Sequence, residues 1–185
     1  VELPADSALP LLQDLLARGA KVNQYDASGE TALHSAVRMH SGVDFVKLLL
    51  QHGADMSVVN RDGRSAVMLA AAEGRREALG ALLDAGAQAA QRDAAGLDAM
   101  LHALKATQPG CIQLLQDRGY KLSRDSVLAE LFIAVRDSNA QRFRVLLDVA
   151  CGSYPSIAGA AEDGLENDPR PALPTLLMEA VRVQN

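Results

Sequence analysis

The chain has 185 residues, a formal net charge of −5, 22% charged residues and 49% hydrophobic residues, which is typical of a folded protein. The negative charge argues against a general attraction to nucleic acid, which requires a basic surface. Its two cysteines are too few for a disulfide framework, and no apolar run approaches the ~20 residues that span a bilayer.

Large aromatic side chains are scarce in this sequence. Only 3% of the residues are aromatic and there is no Trp. A single deep core usually relies on large aromatic side chains, whereas small residues suit thin layers of helices that contact only their neighbours. Composition therefore favours an elongated helical array, so internal repeats are the first feature to seek.

The first 25 residues contain the end of one helical unit. We predict a helix near residues 9–18, with Leu15 and Leu16 on its inner face. Gly19 follows, and a glycine directly after a helix can adopt the left-handed conformation that ends it. Residues 1–25 are therefore predicted to form a partial repeat.

The first complete unit is predicted over residues 26–59. It opens with the tight turn Asp26-Ala27-Ser28-Gly29. Thr31 follows and can cap a helix by accepting a free backbone N–H. We predict a helix pair over residues 31–52, with a longer turn between its helices because one extra residue lies near His40-Ser41-Gly42.

The same features return in two further units, over residues 60–92 and 93–123. Their helix pairs are predicted near residues 65–85 and 98–118, capped by Ser65 and Asp98. Small side chains recur where helices would approach closely, at Ala36, Ala70 and Ala103. The aligned leucines of successive units lie 34, 33, 33 and 31 residues apart, at Leu15, Leu49, Leu82, Leu115 and Leu146.

The pattern weakens after residue 123. A unit over residues 124–150 is predicted to hold a helix pair near 128–149, although its hairpin is two residues short and lacks the turn glycine. Residues 151–172 are rich in Gly, Pro and acidic residues, which predicts an inserted surface loop. A further helix after Pro174 would open a partial repeat over residues 173–185.

These markers together resemble the ankyrin repeat. The clearest copy contains Gly29, then Thr31-Ala32-Leu33-His34-Ser35-Ala36, the run Leu48-Leu49-Leu50 and the closing Gly53-Ala54-Asp55. The family's usual Pro after the Thr is Ala32 here. The resemblance covers the chain from about Ala8 to Asn185. It implies one all-α domain, a solenoid of helix-turn-helix units joined by β-hairpin-like loops.

Both ends of the chain fall inside repeats, and the sequence does not begin with Met. We therefore expect a piece cut from a longer ankyrin array. Its high Ala and Arg usage resembles bacterial ankyrin proteins. This resemblance predicts a location in the cytoplasm, or in the host cytoplasm for a secreted effector, and a monomeric piece that does not associate with membranes.

Residues able to carry out chemistry are sparse in the sequence. No His has a second His or Cys three or four residues away, which argues against a metal site. The family uses the imidazole at the position of His34 to hold the turn together, and Cys111 and Cys151 are expected to be structural thiols. No phosphate-binding loop or nucleophile motif occurs. We predict no cofactor, no metal and no enzyme activity, although distant residues that converge on a Cys stay an open alternative.

The resemblance implies that a partner protein binds on the concave surface formed by hairpin tips and first helices. Recognition must then use variable positions, since packing fixes the framework. Tyr, Arg and Met are enriched in interface cores, so Tyr25, Arg38 and Met39 are the predicted anchors. The alternative is that these are exposed positions free to vary. The predicted partner-binding residues are Tyr25, Glu30, Arg38, Met39, Arg61, Arg64, Glu73, Arg92, Leu97 and Lys105.

Arg61, Arg64, Arg92 and Lys105 could share one face and contact nucleic acid. Acidic residues are interleaved with them, and the aromatic residues needed for base stacking are absent, so we predict no nucleic-acid partner. Two functions stay open. The first is an interaction module that binds a partner protein. The second is a targeting or substrate-recruiting arm of a larger enzyme or secreted effector, whose catalytic part lies outside this chain.

Overall fold

A computed structural model describes residues 5–40, 42–122, 124–137, 139 and 141–146 of the chain. The chain divides into two compact units, Val1–Tyr120 and Lys121–Asn185. All regular elements among the described residues are α-helices, and single antiparallel bridges close two of the hairpins that connect them. The prediction of an all-α repeat fold is confirmed. One domain over residues 1–185 stays a prediction.

The first unit is built of short helices in two layers. Its first helices have seven residues each and its second helices nine, whereas the opening helix α1 has 13. The helices are α1 Ala5–Ala17, α2 Ala32–Arg38, α3 Val43–Gln51, α4 Ala66–Ala72, α5 Arg76–Asp84, α6 Ala99–Lys105 and α7 Pro109–Asp117.

Helix contacts follow the repeat. Within each repeat α2 packs on α3, α4 on α5 and α6 on α7, while between repeats α4 packs on α2 and α6. The second helices α3, α5 and α7 form a parallel row of contacts, which α1 joins through α3. The alanines predicted at close helix contacts, Ala36, Ala70 and Ala103, are buried, because a small side chain lets neighbouring helices approach.

The aligned leucines are not equally buried. Leu49, Leu82 and Leu115 are fully buried between the layers, as the repeat predicts. Leu15, at the equivalent position of α1, is 47% exposed, and Leu11 is 50% exposed. Among the described helices, the main contact of α1 is with α3, which is a second helix.

In the first unit one helix start differs from the predicted position, and one turn length agrees with the prediction. Helix α1 starts at Ala5, four residues before the predicted start, and contains Pro10, whose missing N–H removes one helical hydrogen bond. The turn between α2 and α3 takes four residues, 39–42, whereas the turns at 73–75 and 106–108 take three. The predicted longer turn in the first complete repeat is therefore confirmed.

The three predicted caps differ: Asp98 accepts a backbone N–H as predicted, Thr31 forms a capping box with His34, and Ser65 makes no cap bond. The Asp98 carboxylate accepts the backbone N–H of Leu101 at 2.9 Å. The Thr31 hydroxyl lies 2.9 Å from Nδ1 of His34, which itself accepts the backbone N–H of Thr31 at 3.2 Å. Ser65 occupies the equivalent position, but its hydroxyl is buried and makes no hydrogen bond within the described residues. The predicted side-chain cap by Ser65 is therefore wrong.

The glycines predicted to end helices all have the left-handed conformation, which only glycine adopts without strain. Gly53 shows the arrangement, with φ of 79° and its own N–H donating to the Leu50 carbonyl at 3.1 Å. The next N–H, that of Ala54, donates to the Leu49 carbonyl at 2.9 Å. Positive φ values occur in the same way at Gly19, Gly86 and Gly119.

The second unit contains helix α8, Arg124–Arg136, and a helical stretch over residues 141–146. Helix α8 has 13 residues and begins four residues before the predicted start. The hairpin before α8 is two residues short and lacks its turn glycine, and the helix begins at Arg124, within the predicted hairpin. Val127, Leu131, Ala134 and Leu146 are buried. The predictions on residues 147–185, including Cys151, the inserted loop and the helix after Pro174, lie outside the described residues.

Candidate protein-binding surface

Each hairpin of the first unit begins with a side-chain oxygen that fixes the turn. Oδ1 of Asp26 accepts the N–H groups of Ser28 and Glu30 at 2.8 and 3.0 Å. Asn60 and Asp93 make the same two bonds with the residues two and four positions later, at 2.9–3.0 Å. Hydrogen bonds from Ser28 and Glu30 hold the pKa of Asp26 below its usual value. These turns give the hairpins one common geometry.

Backbone hydrogen bonds join successive hairpins at their tips. The N–H of Arg61 donates to the Ser28 carbonyl at 3.0 Å, and the N–H of Ala94 donates to the Asp62 carbonyl at 3.2 Å. Gly63 has φ of 74°, and a Cβ there would lie 2.7 Å from the backbone nitrogen of Ala94. Only glycine allows this approach, so the hairpin tips form a closely spaced row.

His34 is buried and links two repeats. Since Nδ1 accepts the Thr31 N–H, the ring proton lies on Nε2, which donates to the Arg64 carbonyl of the next hairpin at 3.3 Å. Burial lowers the pKa of His34 below its ordinary value of 6.5. The predicted structural role of His34 is thus confirmed, and its ring is fully used by the framework.

His102 forms a buried pair that the sequence did not predict. Its Nε2 lies 2.8 Å from Oδ2 of Asp93, and the Nε of Arg64 lies 3.7 Å from the same oxygen. Burial acts to raise the pKa of Asp93, but hydrogen bonds from the Leu97 N–H, His102 and the Ala95 N–H outweigh it and hold that pKa below its usual value. The spacing of nine residues between Asp93 and His102 gave no helical or turn signal.

A second network joins three of the predicted partner-binding residues to one another. The Arg38 guanidinium binds both carboxylate oxygens of Glu30, at 2.5 and 2.7 Å, and its Nε lies 3.4 Å from Glu73. Asn60 adds a bond to Glu30 at 3.3 Å, and Arg75 donates to the Arg38 carbonyl at 3.0 Å. The charge of Arg38 is therefore neutralised within the fold. The network ties the repeat over residues 26–59, which is the second when the partial repeat 1–25 is counted, to the third over residues 60–92.

The predicted partner-binding residues divide by exposure. Tyr25 is 70% exposed and Met39 is 43% exposed, which are large values for apolar side chains. Half-buried members are Glu30, Arg64, Glu73 and Leu97. The exposed members are Tyr25, Arg38, Met39, Arg61, Arg92 and Lys105.

Cys111, on α7 of the first unit, lies in the core. Cys111 is buried, its sulfur lies 3.9 Å from the Ala70 carbonyl, and burial raises its pKa to about 11. A protonated, buried thiol is a poor nucleophile. Within the described ranges no three His, Cys, Asp or Glu side chains are grouped to hold a metal ion. No helix in these ranges has the length and apolar character to cross a membrane.

Three proteins illustrate what the chain is similar to. Notch-regulated ankyrin repeat-containing protein from Homo sapiens is 40% identical over 67 residues, which is 36% of this chain and 58% of that protein. Protein fem-1 homolog A-like from Mus musculus is 33% identical over 113 residues, 61% of this chain and 17% of the relative. The 2-5A-dependent ribonuclease from Homo sapiens is 48% identical over 65 residues, 35% of this chain and 9% of the enzyme. In each case the match spans less than two thirds of the relative.

The family comparison covers the region that holds the described hairpins. The family model for ankyrin repeats in three copies matches residues 5–93 and residues 42–126, together about two thirds of the chain. These limits include helices α1 to α7 and the turn glycines that recur between them. Ankyrin repeat domains are generally non-catalytic modules for protein–protein interaction. The chain belongs to the ankyrin repeat family.

Proposed function

We propose that this chain is a protein-binding module whose hairpin tips and first helices recognise a partner protein. The observation that carries the proposal is the large exposure of Tyr25 and Met39 beside a framework in which His34, Glu30 and Arg38 are paired with other residues of the fold. A Tyr side chain offers apolar area and a hydroxyl to a partner, which is why Tyr is enriched among residues that dominate binding energy.

The framework is suited to present these side chains in fixed positions. The turn bonds of Asp26 and Asn60 and the tip-to-tip bond from Arg61 to Ser28 restrain the backbone around Tyr25. A preorganised surface loses less conformational entropy on binding than a mobile one. Tyr25 and Met39 are therefore the proposed anchors, and Arg38 contributes its exposed surface while Glu30 and Glu73 balance its charge.

Capture of the partner tests this proposal. The chain would serve as bait in a pull-down read by mass spectrometry, beside Tyr25→Ala and Met39→Ala. Lys47→Ala is the matched control, since Lys47 is exposed on the second helix α3. We expect both anchor variants to lose a specific partner that the control retains, with melting temperatures unchanged. A partner retained by both anchor variants would exclude the proposed surface.

The recruiting-arm hypothesis has one supporting observation, the similarity to the 2-5A-dependent ribonuclease over 9% of that enzyme. A stretch similar to part of this chain thus occurs in a protein that is named as an enzyme and that consists mostly of sequence outside the match. We propose that the catalytic part would then lie outside this chain. The full open reading frame tests the hypothesis, because an appended catalytic domain would be visible in it. A tagged full-length protein would also test the expected cytoplasmic location.

A further inference from the structure

Equivalent positions of the repeats carry different charges on the same surface. The pair Glu30 and Arg38 of the second repeat corresponds to Leu97 and Lys105 of the fourth, since the repeat periods place them 67 residues apart. In the second repeat the two charges bind each other at 2.5–2.7 Å. In the fourth repeat Leu97 replaces the carboxylate, and Lys105 is exposed with no ion pair among the described residues.

A second row of equivalent positions changes in the same direction. Tyr25, Val59 and Arg92 occupy the residue before the turn in three successive hairpins. Tyr25 and Val59 are exposed apolar side chains, whereas the exposed Arg92 makes one weak contact, to the Gly96 carbonyl at 3.5 Å. The row therefore runs from apolar at the second repeat to cationic at the fourth.

The two carboxylates closest to these cations in the sequence, Asp93 and Asp98, make other contacts. Asp93 is buried and binds His102 and two backbone N–H groups. Asp98 caps α6 through the N–H of Leu101. In the preceding hairpin Arg61 and Asp62 are both exposed and carry opposite charges. Arg92 and Lys105 are thus two exposed cations without an ion pair among the described residues, on a chain whose overall charge is −5.

We propose that the partner binds with a segment of mixed character, whose apolar side chains contact Tyr25 and Val59 and whose Asp or Glu carboxylates pair with Arg92 and Lys105. This inference rests on the proposed function and adds the chemistry of the bound segment and the repeat at which its acidic part lies. Complementary charge at one end of an interface fixes orientation and suppresses wrong partners, while the apolar end supplies binding energy.

Selection from a displayed library of random peptides, with the intact chain as bait, tests the chemistry even before the partner is identified. We expect enriched peptides to carry apolar residues followed or preceded by a run of Asp or Glu. The most enriched peptide, once synthesised, should bind about tenfold more weakly or worse to Arg92→Glu and Lys105→Glu, because like charges then face each other. Lys47→Glu makes the same charge change on α3 and should leave binding unchanged.

The outcomes separate this inference from the function on which it rests. If the enriched peptides lack acidic residues but bind less well to Tyr25→Ala, the proposed acidic character of the segment is wrong and the proposed binding surface stands. Peptides insensitive to every variant except those on α3 would overturn both. Selection of basic peptides, or tighter binding of a labelled single-stranded oligonucleotide than of any peptide, would overturn the inference too. A loss of affinity with rising salt that the double charge reversal abolishes would support it.

Discussion

Oδ2 of Asp93 lies 2.8 Å from Nε2 of His102, and both side chains are buried at the start of the fourth repeat. At the equivalent positions the third repeat has Asn60 and Leu69, which make no such bond. The equivalent Oδ1 fixes the turn in both repeats, because Asn60 and Asp93 each accept two backbone N–H groups through it. The fourth repeat thus has a buried polar pair where the third has Asn60 and the buried apolar Leu69.

This replacement predicts strong coupling between the two positions. His102→Leu should lower the free energy of unfolding by about 1.5–3 kcal/mol, because it leaves the Asp93 carboxylate buried without its partner. The double variant Asp93→Asn with His102→Leu reproduces the third repeat and should lose at least about 1 kcal/mol less than the sum of the single variants. Urea denaturation of the wild type, Asp93→Asn, His102→Leu and the double variant gives the four free energies of unfolding of this double-mutant cycle. Additive losses would show that the pair contributes nothing beyond its separate contacts.

His34 predicts a pH dependence of stability. Burial lowers its pKa in the folded state below the ordinary 6.5, so the unfolded chain binds more protons between the two values. The stabilising contribution of neutral His34 is therefore complete above about pH 6.5 and is lost as the pH falls through the folded pKa. Urea unfolding at about pH 7.5, 6.5 and 5.5 measures this loss.

The variant His34→Gln isolates that contribution. Gln keeps hydrogen-bonding groups but does not titrate, so the variant should be less stable at neutral pH and show a flatter pH dependence below about pH 6.5. His40→Gln changes an exposed His and is the matched control, which should keep the wild-type slope. Equal slopes for wild type and His34→Gln would contradict the prediction.

Thr107 has φ of 53°, a left-handed conformation that is strained for a β-branched residue. The equivalent position in the third repeat is Gly74, with φ of 70°. Thr107→Gly should therefore raise the free energy of unfolding, by up to about 1 kcal/mol after the greater freedom of Gly in the unfolded chain is subtracted. Ala106→Gly, at φ of −86°, relieves no strain and should destabilise. Thermal melting of both variants decides, and a destabilised Thr107→Gly would contradict the prediction.

Three equivalent leucines predict a graded loss of stability. Leu49→Ala and Leu82→Ala each remove a fully buried side chain and should cost ~2–5 kcal/mol, because a cavity remains between the repeats. Leu15→Ala removes a side chain that is 47% exposed and should cost about 1 kcal/mol or less. Denaturant titration of the three variants gives the order, and equal losses would argue against the layered core.

The sequence alone was sufficient for the repeat architecture. Leucines every 31–34 residues, small alanines at helix contacts and a glycine after each second helix depend on local packing that recurs in every repeat. Such features act within one unit and its neighbour, so their spacing is visible in the chain itself. The structural role of His34 followed from the family motif for the same reason.

The tertiary structure alone decided which side chains of the candidate surface are free. Glu30, Arg38 and Glu73 stand 8 and 35 residues apart, and only the stacking of repeats brings their charges within 4 Å. The Asp93–His102 pair, the Ser65 hydroxyl that is unpaired among the described residues, and the exposure of Leu15 depend likewise on what an adjacent repeat supplies. A sequence pattern gives the position of a residue within its repeat, but ion pairing and burial depend on distances across repeats, which only the folded stack sets.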